Sequence, residues 1–510
     1  MEWSSGYVAD INYTYGYYAG LNPLNLELAL LYAGVKPPKI NSACELGFGQ
    51  GISINFHSAG SSISWCGNDF NPTHAGFANE VNFESESGAH LSDDDFESFC
   101  QQPELPDFDF IGLHGVWSWI SEKNRAIIVE FIKRKLRVGG VVYVSYNSQN
   151  AWANMIPLRD LMTYYASVME PSGSGRIGGI NGALEFAEKL SNVNPQFFKA
   201  NGILKGRLTR LKKQNREYLA HEYFNKDWEA VNFAKLNDFF SAAKLSFVAP
   251  ANHLEAINKI NLTDEQQDLL NDVSDPILYQ VVKDFCVNQQ FRAEYWVKGP
   301  RKLSEIAQKN ALANIRVMLI QNKEDITLKT KGALGEVTLK ESVYLPILEY
   351  LSDLKPRTIG EIEQEMVSEG IDFAKVTQSI MVLIGKKSIA VVQEEKEISK
   401  AKEKTDRINK YLIEHAYGSK EIAYLVSPAT AGGIPLNRIQ KMFLAAIKAG
   451  KKNPKDWAEF AWKIISSQNQ RIVNDGKEIS TAEESINHLT KESRDFSKKQ
   501  IPILKALNIM

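Results

Sequence analysis

Residues 42–51 read SACELGFGQG, a short apolar run that meets glycines at every second position. Glycine lets the backbone turn sharply and approach a ligand closely where a buried strand meets a helix. The spacing here is G-x-G-x-G after an acidic residue, whereas the dinucleotide fingerprint is G-x-G-x-x-G. The turn therefore favours S-adenosylmethionine over a nicotinamide dinucleotide. We expect it to bind this ligand through Glu45, Gly47, Phe48, Gly49 and Gly51.

Buried strands are predicted on the carboxyl side of this turn at residues 63–68, 108–115 and 139–147, each bounded by Gly, Pro, Asn or Asp. Between the last two, residues 122–140 carry apolar side chains at helical spacing and stop at two glycines. Strands that alternate with helices are typical of β-α-β units and a mostly parallel sheet. The segments 233–251 and 290–299 predict a helix and the last two strands of the same sheet.

An acidic residue, Asp69, ends the second predicted strand and is followed by Phe70. At this position a carboxylate can accept hydrogen bonds from both ribose hydroxyls of an adenosine-containing ligand. The alternative is that Asp69 forms a helix cap or Asx turn ahead of Asn71 and Pro72. We assign Asp69 and Phe70 to cofactor binding.

The stretch 92–96, SDDDF, follows a third candidate strand. A carboxylate here can accept the adenine amino group, and Phe96 can stack on the adenine ring. We assign Asp94 and Phe96 to this role, although the pattern does not distinguish Asp94 from its two acidic neighbours. Three Asp residues before a helix are equally typical of an N-terminal cap with favourable charge at the helix dipole.

The fourth strand leads into His114-Gly-Val-Trp117-Ser-Trp119. This is the carboxyl end of a parallel strand, where ligands of open α/β folds bind. We expect Trp117 and Trp119 to bind substrate beside the methyl donor, together with Tyr146 and Asn147 at the end of the following strand. The alternative is that both indoles only pack the sheet against a helix. His114 is assigned to the cofactor site, although a lone histidine is more often structural than a base.

Five strings together, ACELGFGQG, NDFNP, FDFIGLHGVWSWIS, GGVVYVSYN and YLAHEYFN, resemble the class I methyltransferases that carry a methyltransferase regulatory domain. This bacterial family includes the rickettsial protein-lysine methyltransferases. The resemblance covers about residues 10 to 300 strongly and the remainder more weakly. It implies a seven-stranded Rossmann-like core, S-adenosylmethionine as donor, additional helical and C-terminal domains, and N-methylation of lysine side chains in a protein or peptide acceptor such as a surface protein.

The resemblance also implies an aromatic N-terminal segment over the donor site, and residues 12–18, NYTYGYY, match it. Tyrosine faces attract a sulfonium or an ammonium by about 0.5–2 kcal/mol. The alternative is that the segment simply packs on the core. We take Tyr15, Tyr18, His114 and Trp117 as catalytic candidates, because a lysine acceptor must lose its proton and no metal or covalent nucleophile is needed for methyl transfer.

The 510 residues are too many for one hydrophobic core, and GlyPro at 299–300 is a boundary candidate. We predict a methyltransferase core at 1–300 with a helical insertion at about 151–235, a winged-helix-like domain at 301–395 and a helical domain at 396–510. The second region is predicted from three amphipathic helices followed by a short hairpin. Recognition-helix basic residues are sparse there, which favours a packing module over a DNA-binding domain.

Charge and cysteine content exclude several classes of protein. Lys and Arg number 59 against 61 Asp and Glu, so no nucleic-acid partner is indicated. The four cysteines form no C-x-x-C pair, which disfavours a zinc site or a disulfide framework. No signal peptide or membrane span is evident, so we expect a cytoplasmic protein, with a homodimer through the insertion as one expected assembly. A small-molecule methyltransferase and a non-catalytic binding module are the competing functions.

Overall fold

A computed structural model of the full chain describes residues 7–8, 11, 13–169, 175–474 and 477–510. Asn12, the first residue of the predicted aromatic segment, lies outside the described residues. The α/β core and its insertion extend as far as Lys298. Its strands are β1 (Ser42–Leu46), β2 (Ser64–Asn68), β3 (His90–Ser92), β4 (Phe108–Leu113), β5 (Leu136–Asn147), β6 (Leu245–Pro250) and β7 (Phe291–Lys298).

The helices of this part are α1 (Pro23–Tyr32), α2 (Ile52–Gly60), α3 (Pro72–Ser85), α4 (Phe96–Gln101), α5 (Glu122–Lys135), α6 (Gln149–Trp152), α7 (Ile156–Met169), α8 (Gly175–Asn192), α9 (Gln196–Ala200), α10 (Ile203–Lys212), α11 (Arg216–Tyr223), α12 (Phe233–Ser241), α13 (Asn258–Asn261), α14 (Asp264–Asn271) and α15 (Pro276–Val287). Helix α1 precedes β1, helices separate most of the strands that follow, and seven helices, α6 to α12, lie between β5 and β6.

The seven strands form one sheet in the order β3-β2-β1-β4-β5-β7-β6. Strands β1 to β5 are parallel, and β7 is antiparallel to both β5 and β6. The predicted α/β Rossmann-like core is therefore confirmed, and so are its predicted strands. The largest boundary difference is in β5, which begins at Leu136 and not at Gly139, directly after α5.

Burial explains why the central strands read as apolar runs. All residues of β1 and β4 are buried, as expected for parallel strands covered by helices on both faces. Neighbouring residues alternate between two cores: Ala43 and Phe110 pack with α1, whereas Cys44 and Ile111 pack with α5 and α12. Helix α5 is capped by the Ser121 side chain and carries three basic residues in its last turn.

The middle region contains α16 (Glu305–Ala313), β8 (Arg316–Leu319), β9 (Lys329–Gly332), β10 (Gly335–Thr338), α17 (Glu341–Tyr350), β11 (Arg357–Thr358), α18 (Ile359–Met366), α19 (Phe373–Gly385) and β12 (Ile389–Val392). The three predicted helices are present as α17, α18 and α19. The predicted hairpin after them is not: β12 pairs with β8, which precedes all three helices, in the order β11-β8-β12.

The last region contains α20 (Glu395–His415), β13 (Tyr424–Ser427), β14 (Gly432–Pro435), α21 (Arg438–Lys448), α22 (Pro454–Ser467), β15 (Val473–Asn474), β16 (Lys477–Glu478), α23 (Ala482–Asp495) and α24 (Ile501–Ala506). Both C-terminal regions share hydrophobic cores with the N-terminal part. Leu28 and Leu31 pack among residues 312–391, and Ile52, Phe56 and Val81 pack among residues 392–509. The boundaries predicted at 300 and 395 therefore separate segments that pack closely.

Candidate active site

The glycine turn between β1 and α2 is built from left-handed backbone. Gly47, Gly49 and Gly51 have φ of 68°, 57° and 69°, a region that L side chains rarely adopt. The Asn68 carbonyl of β2 accepts hydrogen bonds from the Gly47 and Phe48 N–H groups at 2.8 and 3.1 Å. A Cβ on Gly47 would lie 2.6 Å from Val116 Cγ2, so the turn also packs too closely for a side chain. These contacts place the turn against the ends of β2 and β4.

Asp69, directly after β2, joins the glycine turn to the following helix. Its carboxylate accepts hydrogen bonds from the Gly49 N–H at 2.8 Å and the Asn71 N–H at 3.1 Å, and lies 3.2 Å from His74 Nδ1. The N-cap of α3 is Asn71, whose side chain accepts from the Thr73 N–H. Asp69 thus makes the Asx-type contact but does not cap the helix, and its side chain lines a cavity.

This cavity has a volume of about 340 Å³ and lies at the carboxyl ends of β1, β2 and β4. The predicted site residues in its wall are Gly47, Gly49, Asp69, Phe70, Phe96, His114 and Trp119. Asn68, which the sequence did not single out, also contributes. Three predicted residues lie behind the wall: Glu45 and Phe48 are buried, and Gly51 begins α2. The structure therefore brings most of the predicted cofactor residues together.

Asp94 is a further predicted cofactor residue that does not line the cavity. Its carboxylate accepts hydrogen bonds from Ser92 Oγ and from Gln102 Nε2, and its side chain does not line the cavity. The acid in the wall is its neighbour Asp95, which also caps α4 by accepting from the Ser98 N–H at 2.8 Å. An adenine contact from this stretch therefore stays a prediction, and Asp95, not Asp94, is the acid placed to make it.

Trp117 and Tyr146 do not reach the cavity, contrary to our expectation. The Trp117 ring is fully buried on the other side of the strand end, with Phe239 and Phe240 edge-on at 5.6 and 5.3 Å. Tyr146 is fully buried in the same core and donates to Glu294 Oε2 at 3.4 Å. Both side chains belong to the face of the sheet that packs against α5 and α12.

Asn147 and Tyr15 also lie outside the cavity wall. Asn147 is buried at the end of β5, where its N–H donates to Ser118 Oγ at 2.9 Å. Tyr15 packs edge-on against Phe77 of α3 at 5.1 Å and belongs to the core shared with the C-terminal region. Trp119 is therefore the one predicted substrate-binding residue that lines the cavity among the described residues.

His114 is held by neighbours on both sides. Its Nδ1 lies 2.7 Å from Tyr143 Oη and 3.2 Å from Ser145 Oγ, and its ring stacks on Tyr18 with centroids 3.6 Å apart. Burial lowers the pKa of His114 to about 3, so the imidazole is neutral and weakly basic at physiological pH. His114 is therefore suited to positioning a ligand and poorly suited to taking a proton. Tyr18, the catalytic candidate on which it stacks, does not itself line the cavity.

Four residues of the cavity wall come from the N-terminal segment and α11. Tyr13 belongs to the aromatic segment predicted over the donor site, whereas Tyr7, His221 and Glu222 were not predicted as site residues. Tyr7 packs edge-on against Phe70 at 5.3 Å, and Tyr13 packs edge-on against His221 at 5.0 Å. His221 Nε2 lies 3.0 Å from the Ile11 carbonyl oxygen, so α11 and the N-terminal segment hold each other. The fourth residue is Glu222, and burial raises its pKa to about 7. Tyrosine density and the string YLAHEYFN were the available signals.

Residues 215–298 match the family model described as a predicted methyltransferase regulatory domain. A Synechocystis sp. protein of uncharacterized function is 37% identical over 514 aligned positions that cover 100% of both chains. The chain belongs to the class I methyltransferases with this regulatory domain. A Rickettsia prowazekii protein, also uncharacterized, is 23% identical over 394 positions, or 69% of each chain.

The structure of PKMT2 from Rickettsia typhi in complex with AdoHcy is similar to this methyltransferase over most of both chains. The TM-score is 0.69 at 15% identity, with 95% of this chain and 98% of that chain covered. The regulatory-domain match begins just before α11 and ends with β7, so in this methyltransferase it supplies Glu222 to the cavity and two strands to the sheet. The same region is thus both part of the fold and part of the site.

Three further expectations have these outcomes. No helix among the described residues is long and apolar enough to cross a membrane. In the same part of the chain, no group of three or more His, Cys, Asp or Glu side chains is arranged to hold a metal ion. The expected homodimer stays a prediction, since the structure contains a single chain.

Proposed function

We propose that this methyltransferase transfers a methyl group from S-adenosylmethionine to lysine side chains of a protein acceptor in the cytoplasm. The observation that supports this proposal is a cavity at the carboxyl ends of parallel strands. The left-handed glycine turn, the Asp69 carboxylate and the Phe96 ring all line it. When bound, the donor supplies a methyl group activated by a positively charged sulfur. Every other contribution comes from the protein.

The residues present fit this donor. Backbone at Gly47 and Gly49 lets a ligand approach closely, Asp69 offers carboxylate oxygens to ribose hydroxyls, and Phe96 offers a ring face to adenine. Buried Glu45 has an oxygen, Oε2, without a hydrogen-bond partner among the described residues, and burial next to Asp69 raises the pKa of Glu45 to about 8. A cation bound at the glycine turn would stabilise the ionised form of that carboxyl.

Methyl transfer is an in-line displacement, so the protein mainly aligns the two reactants and excludes water. Tyr7 and Tyr13 close the cavity from the N-terminal side, and Trp119 and His114 close it from the end of β4. The acceptor nitrogen must arrive neutral for its lone pair to attack the methyl carbon. The ordinary lysine pKa of about 10.4 means that the site has to lower this pKa or take the proton.

A cationic side chain as acceptor is supported by the wall of the cavity. Among the residues that the structure describes, five carboxylates line it, namely Asp69, Asp95, Glu97, Glu222 and Asp227, against one ammonium, Lys123. Lys123 already pairs with Glu97 at 2.6 Å. An acidic, aromatic cavity favours positively charged ligands. The resemblance to the rickettsial protein-lysine methyltransferases supports a lysine side chain of a protein as this cationic acceptor.

The test is an S-adenosylhomocysteine release assay with proteins, peptides and metabolite extracts as separate acceptor pools. We expect release with a protein pool, with the methyl group located on lysine by mass spectrometry. Release with metabolites alone would replace the proposal by a small-molecule methyltransferase. Donor binding without release from any pool would indicate a binding module instead.

A further inference from the structure

Glu222 is an acidic residue of the cavity wall whose carboxylate has no partner among the described residues. Its side chain stands near the end of α11 and lines the cavity with Tyr7 and Tyr13. No hydrogen bond or ion pair joins its carboxylate to any residue in the described ranges, and burial is the sole cause of its raised pKa. In contrast, Glu229, which lies between α11 and α12, accepts a hydrogen bond from Lys235 and pairs with Arg125.

Four tyrosines lie within electrostatic reach of this carboxylate, and two of them, Tyr7 and Tyr13, line the same cavity. Tyr7, Tyr13, Tyr18 and Tyr218 all have pKa values raised by burial and, to a lesser extent, by the negative charge of Glu222. Glu222 is only partly exposed, and a carboxylate that has lost part of its water without gaining a cation or hydrogen-bond donor is destabilised, whereas tyrosine faces and a carboxylate together attract an ammonium. The site therefore has room for a positive charge beside Glu222, and no described side chain of the protein supplies it.

The other titratable groups in the wall do not meet this need. Asp69 is held by His74 and backbone N–H groups, and Lys123 is engaged by Glu97. The remaining charged groups are Asp95 and Asp227, which are acidic. His114 is neutral because burial lowers its pKa to about 3, and His221 contacts the Ile11 carbonyl. Among the described wall residues, none offers Glu222 an unengaged cation, so a bound ligand is the source that we consider.

We propose that Glu222, framed by Tyr7 and Tyr13, receives the ammonium group of the acceptor side chain and takes its proton. This inference rests on the proposed lysine acceptor. The N–H bond of the ammonium breaks, the nitrogen keeps the electron pair, and the proton forms an O–H bond with the Glu222 carboxylate. The ammonium becomes a neutral amine and the carboxylate a carboxylic acid, which returns its proton to water after the methylated product leaves.

This role predicts a definite pH dependence. Below a pH of about 7 the Glu222 carboxyl is protonated and neither attracts an ammonium nor accepts its proton. The ionised fraction rises between pH 5.5 and 7.5, so ammonium binding should strengthen roughly 20-fold over this interval and then level off. The free protein loses stability as the pH rises from about 4.5 to about 7, because over this range the unfolded chain releases the Glu222 proton and the folded chain keeps it.

The probe is n-butylammonium, which reproduces the end of a lysine side chain, titrated by saturation-transfer NMR with S-adenosylhomocysteine present. Three proteins are compared: wild type, Glu222→Gln, and Glu217→Gln as control, since Glu217 is exposed on the same helix. We expect Glu222→Gln to weaken probe binding at least tenfold at pH 7.5 and to abolish its pH dependence. S-adenosylhomocysteine affinity should stay within two-fold of wild type in both variants.

Melting temperature gives a readout independent of any ligand. The melting temperature of Glu222→Gln should equal that of wild type at pH 4.5 and exceed it at pH 8. The melting temperature of Glu217→Gln should equal that of wild type at both pH values. Equal probe binding by wild type and Glu222→Gln would overturn the inference. Probe binding that depends on Glu222, without methyl transfer to any amine, would leave the ammonium site standing and reject the proposed function.

Discussion

The most informative perturbation of the donor site is Asp69→Ala, with Asp94→Ala as its matched control. Asp69 holds the Gly49 and Asn71 N–H groups and lines the cavity, whereas Asp94 accepts hydrogen bonds from Ser92 and Gln102 outside it. Removing a charged acceptor costs roughly 1.5–3 kcal/mol per hydrogen bond. Loss of the ribose contacts and of the hold on the glycine turn should therefore raise the Kd for S-adenosylhomocysteine by about 10- to 150-fold.

Isothermal titration calorimetry with S-adenosylhomocysteine measures this effect, and thermal denaturation of each variant checks that it is folded. Asp94→Ala should lower the melting temperature while keeping the Kd within about two-fold of wild type. A folded Asp69→Ala protein with wild-type affinity would remove Asp69 from the donor site. Equal weakening by both substitutions would show that the loop as a whole matters, and not the carboxylate at the cavity.

Three further changes test the packing around the site. In Gly432→Ala, the new Cβ would clash with Tyr17 Oη, so the N-terminal segment should shift and donor affinity should fall. The control is Gly418→Ala, because no atom lies within 4 Å of its new Cβ. Equal donor affinities of the two variants would show that the C-terminal region does not hold the N-terminal segment. Trp117→Ala should lower the free energy of unfolding by roughly 3–5 kcal/mol, as truncations of buried aromatic side chains do. A variant of unchanged stability with reduced turnover would instead support a substrate-binding role for Trp117. A fragment ending at Gly299 exposes Leu28, Leu31, Ile52, Phe56 and Val81, so it should aggregate; a monomeric fragment that unfolds cooperatively would contradict this.

The sheet was predictable because buried parallel strands leave apolar runs between turn residues. The glycine turn and Asp69 were predictable for a related reason: each directly follows a strand, and the carboxyl ends of parallel strands share one edge. The hairpin predicted after α19 failed because β12 finds its partner in β8, on the other side of three helices. Local pattern does not reveal a pairing over such a distance.

Side-chain direction and tertiary docking account for the errors within the site. Trp117 begins a single 3₁₀ turn, Trp117–Trp119, and the two indoles leave it in different directions, one into the core and one into the cavity. Glu222 lies more than 150 residues beyond Asp69 in the chain and reaches the cavity only because the inserted helices fold back onto the N-terminal segment. No spacing rule connects residues that are joined in this way.

The central claim is that one cavity, between the glycine turn and α11, holds both the methyl donor and the acceptor amine. A crystal structure of the full chain with S-adenosylhomocysteine tests this most directly. We expect the ligand in this cavity, with its ribose hydroxyls donating hydrogen bonds to the Asp69 carboxylate and its adenine ring beside Phe96. The sulfur should face the space shared by Tyr13, Trp119 and Glu222. Ligand density elsewhere, or a sulfur separated from Glu222 by the cavity wall, would contradict it.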